Sequence, residues 1–291
     1  MSDQGFPWAD ASLLVERALD EDLSDGTDVT SVATIPGSQV SVAHVVAREA
    51  GTVAGLPVVS VVLDAVAARL GTGAVGATAH STDGDRVTRG DHLATLRGAT
   101  RTMLVAERTI LNIISRTSGV ATHTRRWADV LSGSGAMVLD TRKTTPGMRA
   151  LEKYAVRCGG GTNKRMGLFD VAMIKDNHKL AAGGLTPAYE SIHAMFPDVP
   201  IQVEVTTTAE ALESVAVGAR FLLCDNMSTE LLAATVNAVR ATGERVEIEA
   251  TGGLTLDVAA GYAATGVDYL SVGGLTHSSP IVDIALDLVG D

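Results

Sequence analysis

The sequence predicts an α/β protein: a first α+β part, then an open or shortened parallel α/β barrel of about six strands. Three observations carry that reading. In the second part a strand, a polar or glycine-rich cluster and a helix recur about every 20 to 35 residues, the pattern of parallel βα units. Its apolar runs are continuous rather than alternating, which suits strands buried on both faces. The region is also far shorter than the ~250 residues of a typical eight-stranded barrel.

The elements follow in order. Residues 9–23 place Leu13, Leu14, Val15, Ala18 and Leu19 on one helical stripe, with acids opposite. Residues 39–48 partly alternate and read as a strand. Residues 58–70 are long enough to favour a buried helix over a strand. From 84 to 97 short β-like pieces are separated by Gly-Asp turns, and 102–116 form an amphipathic helix. Six short apolar runs then end in polar or glycine-rich clusters: 136–143, 171–177, 201–206, 221–226, 246–253 and 269–274. Helical stretches such as TAEALESVAVGA and TELLAATVNAVRATG lie between most of them. We divide the chain into 1–118 and 119–279, with a tail, 280–291, expected to return to the first part.

Composition narrows the function classes. The chain has 291 residues, 46% hydrophobic and 20% charged, which excludes disorder. Aromatics at 3% are too few for a base-stacking platform, and a net charge of −11 disfavours a general nucleic-acid or membrane-surface binder. Cys158 and Cys224 are far apart, without CxxC spacing, so neither a disulfide framework nor structural zinc is indicated. The first thirty residues carry acids rather than a basic start and an apolar core, so we expect no signal peptide and a cytoplasmic protein. No apolar run reaches the ~18 residues that suggest a membrane span.

Function in parallel α/β architectures sits at the C-terminal strand ends. Here those ends carry Asp140, Arg142 and Lys143; Lys175 and Asp176; Glu204; Asp225 and Asn226; Glu249 and Thr251; and Ser271. A single such residue merely marks where a buried strand reaches solvent, but six consecutive strands ending this way point to a site. Charge adds a second signal. Between 142 and 179 nine basic residues face three acids, a surplus of six that leaves the rest of the chain at −17. A basic island in an acidic protein suits a small, highly charged anion. Arg149, Lys153 and Arg157 fit a solvated helix face; Arg142, Lys143 and Lys175, at strand ends, do not. The loops ATGG (250–253) and SVGG (271–274) follow the last two strands, where backbone N–H groups can cradle phosphate. Glu204 and Asp225, on neighbouring strands, suit ribose hydroxyls, Mg²⁺ or a cationic sugar centre, or an ion pair with Lys175. His178 and His277 lack metal-ligand spacing.

The segment LDTRKTTPGMRALEKYAVRCGGGTNKRMGLFDVAMIKDNH (139–178) closely resembles the signature of the quinolinate phosphoribosyltransferase family. The resemblance extends over almost the whole chain, through DGTDVTS (25–31), AGTVAGL (50–56), AERTILNIISRTSGVAT (106–122), the stretches around Glu204 and Asp225, and GVDYLSVGGLTHSSP (266–280). It implies an N-terminal α/β sandwich domain before the barrel, and a homodimer in which one subunit's N-terminal domain covers its partner's barrel mouth. It also implies transfer of the phosphoribosyl group of phosphoribosyl pyrophosphate to quinolinate with Mg²⁺, releasing pyrophosphate and CO₂ and forming nicotinate mononucleotide. Carried over residue by residue, Arg142, Arg165 and Lys175 would grip the pyridine carboxylates, with Lys164 beside them and Arg108 reaching across the dimer. Lys143 would lie where pyrophosphate and carboxylates converge. Glu204 and Asp225 would hold ribose hydroxyls or Mg²⁺ and face the charge developing at the sugar carbon. Thr251, Gly252, Gly253, Gly273, Gly274 and His277 would take the 5′-phosphate region.

Three departures stand out. The family usually has Asn-His-Arg where this chain has Asn163-Lys164-Arg165. Its strand usually reads E-V-E-V followed by an acid, where this chain has Gln202, Glu204 and Thr206, three residues that alternation puts on one face. Thr251 stands for the usual Ser. The first two make the site about three charges more positive if the family histidine is neutral, and we expect them to retune acceptor choice. Other readings are a paralogous phosphoribosyltransferase for another anionic heteroaromatic acid, a Schiff-base lyase using Lys175, and a non-enzymatic sensor of phosphoribosyl ligands.

Overall fold

The computed structural model describes residues 5–290; Met1–Gln4, at the start of the first domain as drawn above, and Asp291 lie outside the described residues. The first stretch of chain runs α1 (Trp8–Leu23), α2 (Val29–Thr34), β1 (Val40–Ala47), β2 (Gly51–Thr52), α3 (Val58–Leu70), β3 (Val75–Ala79), β4 (Arg86–Val87), β5 (His92–Ala99) and α4 (Thr100–Leu131). It continues β6 (Met137–Leu139), α5 (Arg149–Cys158), β7 (Ala172–Ile174), α6 (Asp176–Ala182), α7 (Leu185–Met195), β8 (Ile201–Val205) and α8 (Thr208–Ala216). The last elements are β9 (Phe221–Asp225), α9 (Thr229–Ala241), β10 (Glu247–Thr251), α10 (Ala259–Ala263), β11 (Tyr269–Ser271), α11 (Gly274–His277) and β12 (Ile284–Leu288). These elements gather into two compact units, 5–125 with 144–160 and 275–290, and 126–143 with 161–274. The division is not a single cut: α5 and the C-terminal tail belong with the first unit.

The first unit is built on a four-stranded antiparallel sheet in the order β12-β1-β5-β3. The tail closes that sheet, Val45 lying opposite Leu286. Its core joins Val15 and Leu19 of α1, Val58, Val62 and Val66 of α3, Leu93 and Leu96 of β5, and Met103 and Ile110 of α4. The buried stripe of α1 is Ala11, Val15, Leu19 and Leu23, whereas Leu13 is 74% exposed. The true stripe keeps a four-residue step and so stays on one side of a short helix; the expected cluster of consecutive apolar residues wraps too far round it.

The helix expected over 102–116 is 32 residues long. Gly119 breaks its apolar pattern but not the helix. A Cβ there would overlap the carbonyl oxygen of Pro280, so glycine is what lets the tail lie against α4. A buried ion pair fastens the same region. Arg116 of α4 meets Glu152 of α5 at 2.8 Å, with Glu152 fully buried. Arg116 also donates to the carbonyls of Ser279 and Thr276. Glu152 accepts from the backbone and hydroxyl of Thr145, at 2.9 and 2.7 Å. Lys153 is buried too, so α5 is not the solvated basic face expected of it, although Arg157 is exposed.

The second unit holds a six-stranded parallel sheet in the order β6-β11-β10-β9-β8-β7. β6 and β7 are its two edges, as the open six-stranded barrel of the sequence reading requires. Every residue of β8 is buried, the signature of a strand covered on both faces. The register aligns Glu204 with Leu223, and Leu223 with Glu249, so all three share the barrel's inner face. Among the described residues, no helix is long and apolar enough to cross a membrane.

Removing one partner of the Arg116–Glu152 pair strands a buried charge. Glu152→Ala should therefore cost roughly 3–5 kcal/mol, read as a lower urea midpoint at unchanged slope; a change under about 1 kcal/mol would show the pair to be incidental.

Candidate active site

Two buried carboxylates organise the segment that carries Asn163, Lys164 and Arg165. Thr162 N–H donates to Val138 O and Asp140 N–H to Thr162 O, so residues around 162 run on as a strand beside β6. Asp140, fully buried, then accepts the Asn163 side chain at 2.6 Å and the Lys164 backbone N–H at 2.8 Å. From β10, the fully buried Glu249 takes the Lys164 ammonium with both oxygens, each at 2.6 Å. Burial holds the Lys164 pKa below the ordinary lysine value, against the pull of Glu249. Lys164 is thus an internal cation with its charge matched in place.

Arg165 and Arg142 differ from it. Arg165 donates to Val171 O, and its pKa is lowered by burial and by the like charge of Arg142. Arg142 Nε is buried with no partner among the described residues. Two guanidinium groups near enough to repel, one with a stranded donor, suit a planar anion in charge and shape.

On the neighbouring strands Lys175 Nζ meets Glu204 Oε2 at 2.6 Å, with Lys175 half exposed and Glu204 nearly buried. The Lys175 backbone N–H donates to His178 Nδ1 at 3.0 Å, which gives His178 of the KDNH motif its part in starting α6. Asp225 stands one pleat beyond Glu204 towards the strand ends, on the same face. Its Oδ2 accepts the Asn226 side chain at 2.8 Å. Asn226 itself sits at φ +53°, a left-handed conformation that asparagine tolerates. Gly252 follows β10 at φ +97°, and a Cβ there would overlap the Asn226 amide. That close approach makes glycine necessary at this corner.

Thr251 ends β10 and accepts from Asn226 N–H through its carbonyl; Gly253 continues the turn at φ +60°. Gly273 and Gly274 follow β11. Lys143 is exposed after a turn closed by its N–H to Thr141 Oγ1, at 3.0 Å. All these residues belong to the second unit. Arg108, exposed on α4, and His277, hydrogen-bonded to Ser278 at 2.6 Å, belong to the first.

The departures from the family pattern separate. Thr206 donates from backbone and hydroxyl to Glu210 Oε2, at 2.7 and 3.0 Å, so a helix carboxylate stands against that position. Lys179 bonds Glu210 and Asp176, each at 2.9 Å, and the Glu204 carbonyl at 3.1 Å. Gln202 lies at the start of its strand, with a buried, unpaired Oε1. The expected gain of three positive charges therefore does not gather at one point. The sequence reading assigned no role to Asp140, Glu249, Lys179 or Glu210. The Thr207-x-x-Glu210 capping signature was there to find; the partners of Asp140 and Glu249 come from distant residues and left no local signal. Among the described residues, no three His, Cys, Asp or Glu side chains group to hold a metal.

Two outcomes follow. Glu249→Ala should cost roughly 3–5 kcal/mol, while the double change Lys164→Met with Glu249→Leu should recover most of that loss in urea unfolding. A double variant as unstable as the single one would assign the loss to packing instead. Burial raises the Glu210 carboxyl, but hydrogen bonds from Lys179 and Thr206 outweigh it and hold the pKa below 4.5. Its stabilisation is then complete above that pH and lost as pH falls through the folded-state pKa. Glu210→Gln should flatten the acid limb of thermal stability; an unchanged limb would remove Glu210 from the account.

The comparisons with known proteins agree with this arrangement. The family model for the quinolinate phosphoribosyl transferase N-terminal domain matches residues 28–118, and that for the C-terminal domain matches 120–287. Nicotinate-nucleotide pyrophosphorylase (carboxylating) of Mycobacterium leprae is 44% identical over 274 residues, spanning 94% of this chain and 95% of the relative. A probable enzyme of the same name from Bacillus subtilis is 38% identical over 269 residues, spanning 92% and 90%. The solved nicotinate-nucleotide pyrophosphorylase of Francisella tularensis superposes with a TM-score of 0.91 at 33% identity, covering 99% of this chain and all of that one. With both domains matched and its relatives covered nearly end to end, the chain belongs to the quinolinate phosphoribosyl transferase family.

Proposed function

We propose that this protein is a carboxylating nicotinate-nucleotide pyrophosphorylase. It joins quinolinate to the phosphoribosyl group of phosphoribosyl pyrophosphate and supplies NAD biosynthesis with nicotinate mononucleotide. The observation that carries the reading is the buried, unpaired Arg142 Nε beside Arg165. Those two guanidinium groups take the acceptor's carboxylates and aim its ring nitrogen at the sugar. The nitrogen lone pair forms the new bond to the ribose anomeric carbon, and the bond to pyrophosphate breaks with its electrons leaving on oxygen. Glu204 and Asp225 face the positive charge that develops at that carbon, while Lys143 receives the departing anion without rearranging. The ring nitrogen, now cationic, accepts density as the adjacent carboxylate leaves as CO₂, and a proton takes its place on the ring carbon. The turns at Gly252–Gly253 and Gly273–Gly274 hold the 5′-phosphate through backbone N–H groups, with Thr251 beside the first of them.

Glu204 and Asp225 also fit magnesium, which is held by one or two carboxylates together with substrate phosphates and water. When bound, it screens the pyrophosphate charge. The working form is a cytoplasmic homodimer in which Arg108 completes the partner subunit's site. Because Lys164 is already bound to Glu249, the reading keeps quinolinate as acceptor rather than another heteroaromatic acid.

Supplied with quinolinate, phosphoribosyl pyrophosphate and Mg²⁺, the protein should release pyrophosphate, and Arg142→Ala should lower kcat/KM by roughly 10²-fold or more. Folded protein giving no product with any aromatic carboxylate would end the proposal. Mixed after verified subunit exchange, inactive Arg108→Ala and Lys175→Ala chains should regain part of the activity; no recovery would argue against shared sites. Lys164→His should change kcat/KM for quinolinate by less than about tenfold, or 1.4 kcal/mol. A larger rise would favour a diverged acceptor.

A further inference from the structure

Lys179, which the proposed chemistry does not use, bonds the main chain of both members of the Lys175–Glu204 pair. Its backbone N–H donates to the Lys175 carbonyl at 3.0 Å, closing the first turn of α6. Its ammonium donates to the Glu204 carbonyl at 3.1 Å. Lys175 Nζ on Glu204 Oε2, at 2.6 Å, completes the ring of contacts. β7 ends at Ile174, opposite Val203, so the ladder between these two strands stops one residue short of Glu204. Lys179 reaches the strand where that ladder has run out.

Two carboxylates hold the ammonium in turn. Glu210 Oε1 and Asp176 Oδ1 each lie 2.9 Å from it, and only 11% of the Lys179 side chain is exposed. Burial pulls its pKa down, but the bonds to Asp176 and Glu210 outweigh this and raise it above the ordinary lysine value. An ammonium has three donors, and here three acceptors take them, which leaves none for a substrate anion. The other oxygen of Glu210 accepts the N–H and hydroxyl of Thr206, at 2.7 and 3.0 Å. The end of β8 is therefore gripped on either side of Val205, through the Glu204 carbonyl and the Thr206 N–H.

We propose that Lys179 and Glu210 act as one positioning unit that aims the Glu204 carboxylate, and that neither touches substrate. The inference rests on the reading of Glu204 as a group that faces the charge developing at the sugar carbon. That charge exists only in the transition state, so a slackened strand end costs kcat rather than KM. A long-range charge effect would act otherwise. Losing the Lys179 cation would raise KM for two anionic substrates, losing the Glu210 anion would lower it, and salt would erase both changes.

Steady-state kinetics of the full chain with quinolinate, phosphoribosyl pyrophosphate and Mg²⁺ tests the unit. Lys179→Met and Glu210→Ala, opposite in charge change, should each lower kcat roughly tenfold or more and leave KM for both substrates within about twofold. The double variant should be no slower than the slower single one, as groups that act together require. Lys179→Arg, whose fork can serve the same three acceptors, should restore kcat to within about threefold of the unaltered protein. A second readout needs no substrate: the Thr206 amide should exchange its hydrogen roughly tenfold faster in Lys179→Met, with the amides of β9 and β10 unchanged. Thermal melts establish that each variant is folded; if Lys179→Met is not, Glu210→Ala and Lys179→Arg carry the test. Unaltered kcat in either single variant, opposite KM shifts that salt erases, additive losses in the double variant, no rescue by arginine, or an unchanged Thr206 exchange rate overturns the proposal. An unaltered protein that gives no product with any aromatic carboxylate ends the catalytic reading instead, and Thr206 exchange then decides alone whether Lys179 holds the strand end.

Discussion

The pairing of Lys164 with Glu249 inside the barrel is the constraint on which the rest of the site depends. A fully buried carboxylate on the inner face of a sheet is costly alone, and so is a buried ammonium. Together, with two contacts of 2.6 Å, they anchor a segment that also bridges to β6. Asp140 completes the anchor by taking the neighbouring backbone N–H and the Asn163 amide. Arg165 is the next residue, so its direction is inherited from these two carboxylates. A buried network that is fully satisfied is rigid, and rigidity is what a receptor for a flat diacid needs.

The mouth of the barrel uses a different device. There the strand ends are joined to the next elements by backbone geometry as much as by charge. Asn226 in a left-handed conformation turns the chain after β9 and rests on Gly252, where no side chain would fit. Lys179 ties the end of β8 to α6 and α8 through the Glu204 carbonyl, Asp176 and Glu210. Glu204 can then share its carboxylate with Lys175 without the strand end moving. Such connections place the candidate catalytic groups on short, well-fixed turns rather than on free loops.

How much of this could be read from the chain follows from how local each signal is. The six parallel strands and α3 were legible because burial on both faces leaves unbroken apolar runs, and the strand-end residues followed from architecture alone. The length of α4 was not, since Gly119 reads as a break and its reason, the approach of Pro280, is 161 residues away. Lys153 read as a surface charge because α5 carries basic residues at helical spacing, yet it is buried. Gly252 was read as a phosphate-loop glycine, and nothing in the sequence announced its close approach to Asn226. Lys164 was read as one more ligand for the acceptor, because its partner Glu249 lies 85 residues on and nothing near either residue announces the other.

That last difference changes the electrostatic argument. Counting charges along 142–179 gives a surplus of six, which suggests a strong and general attraction for anions. Pairing in space redistributes it: Lys164 is matched by Glu249, Lys179 by Glu210 and Asp176, and Lys175 by Glu204. Arg157 lies over the Tyr154 ring and donates to the Gly5 carbonyl. Within the site this leaves Arg142, with a buried Nε unpaired among the described residues, beside Arg165. An enzyme handling two polyanions gains from this economy. A broad positive field would bind phosphate, pyrophosphate and product as firmly as substrate, and uniform binding does not raise the rate of the chemical step. On the proposed reading, placing Arg142 beside Arg165 makes attraction depend on shape as well as charge, because an acceptor with carboxylates correctly spaced on a flat ring can satisfy both forks together.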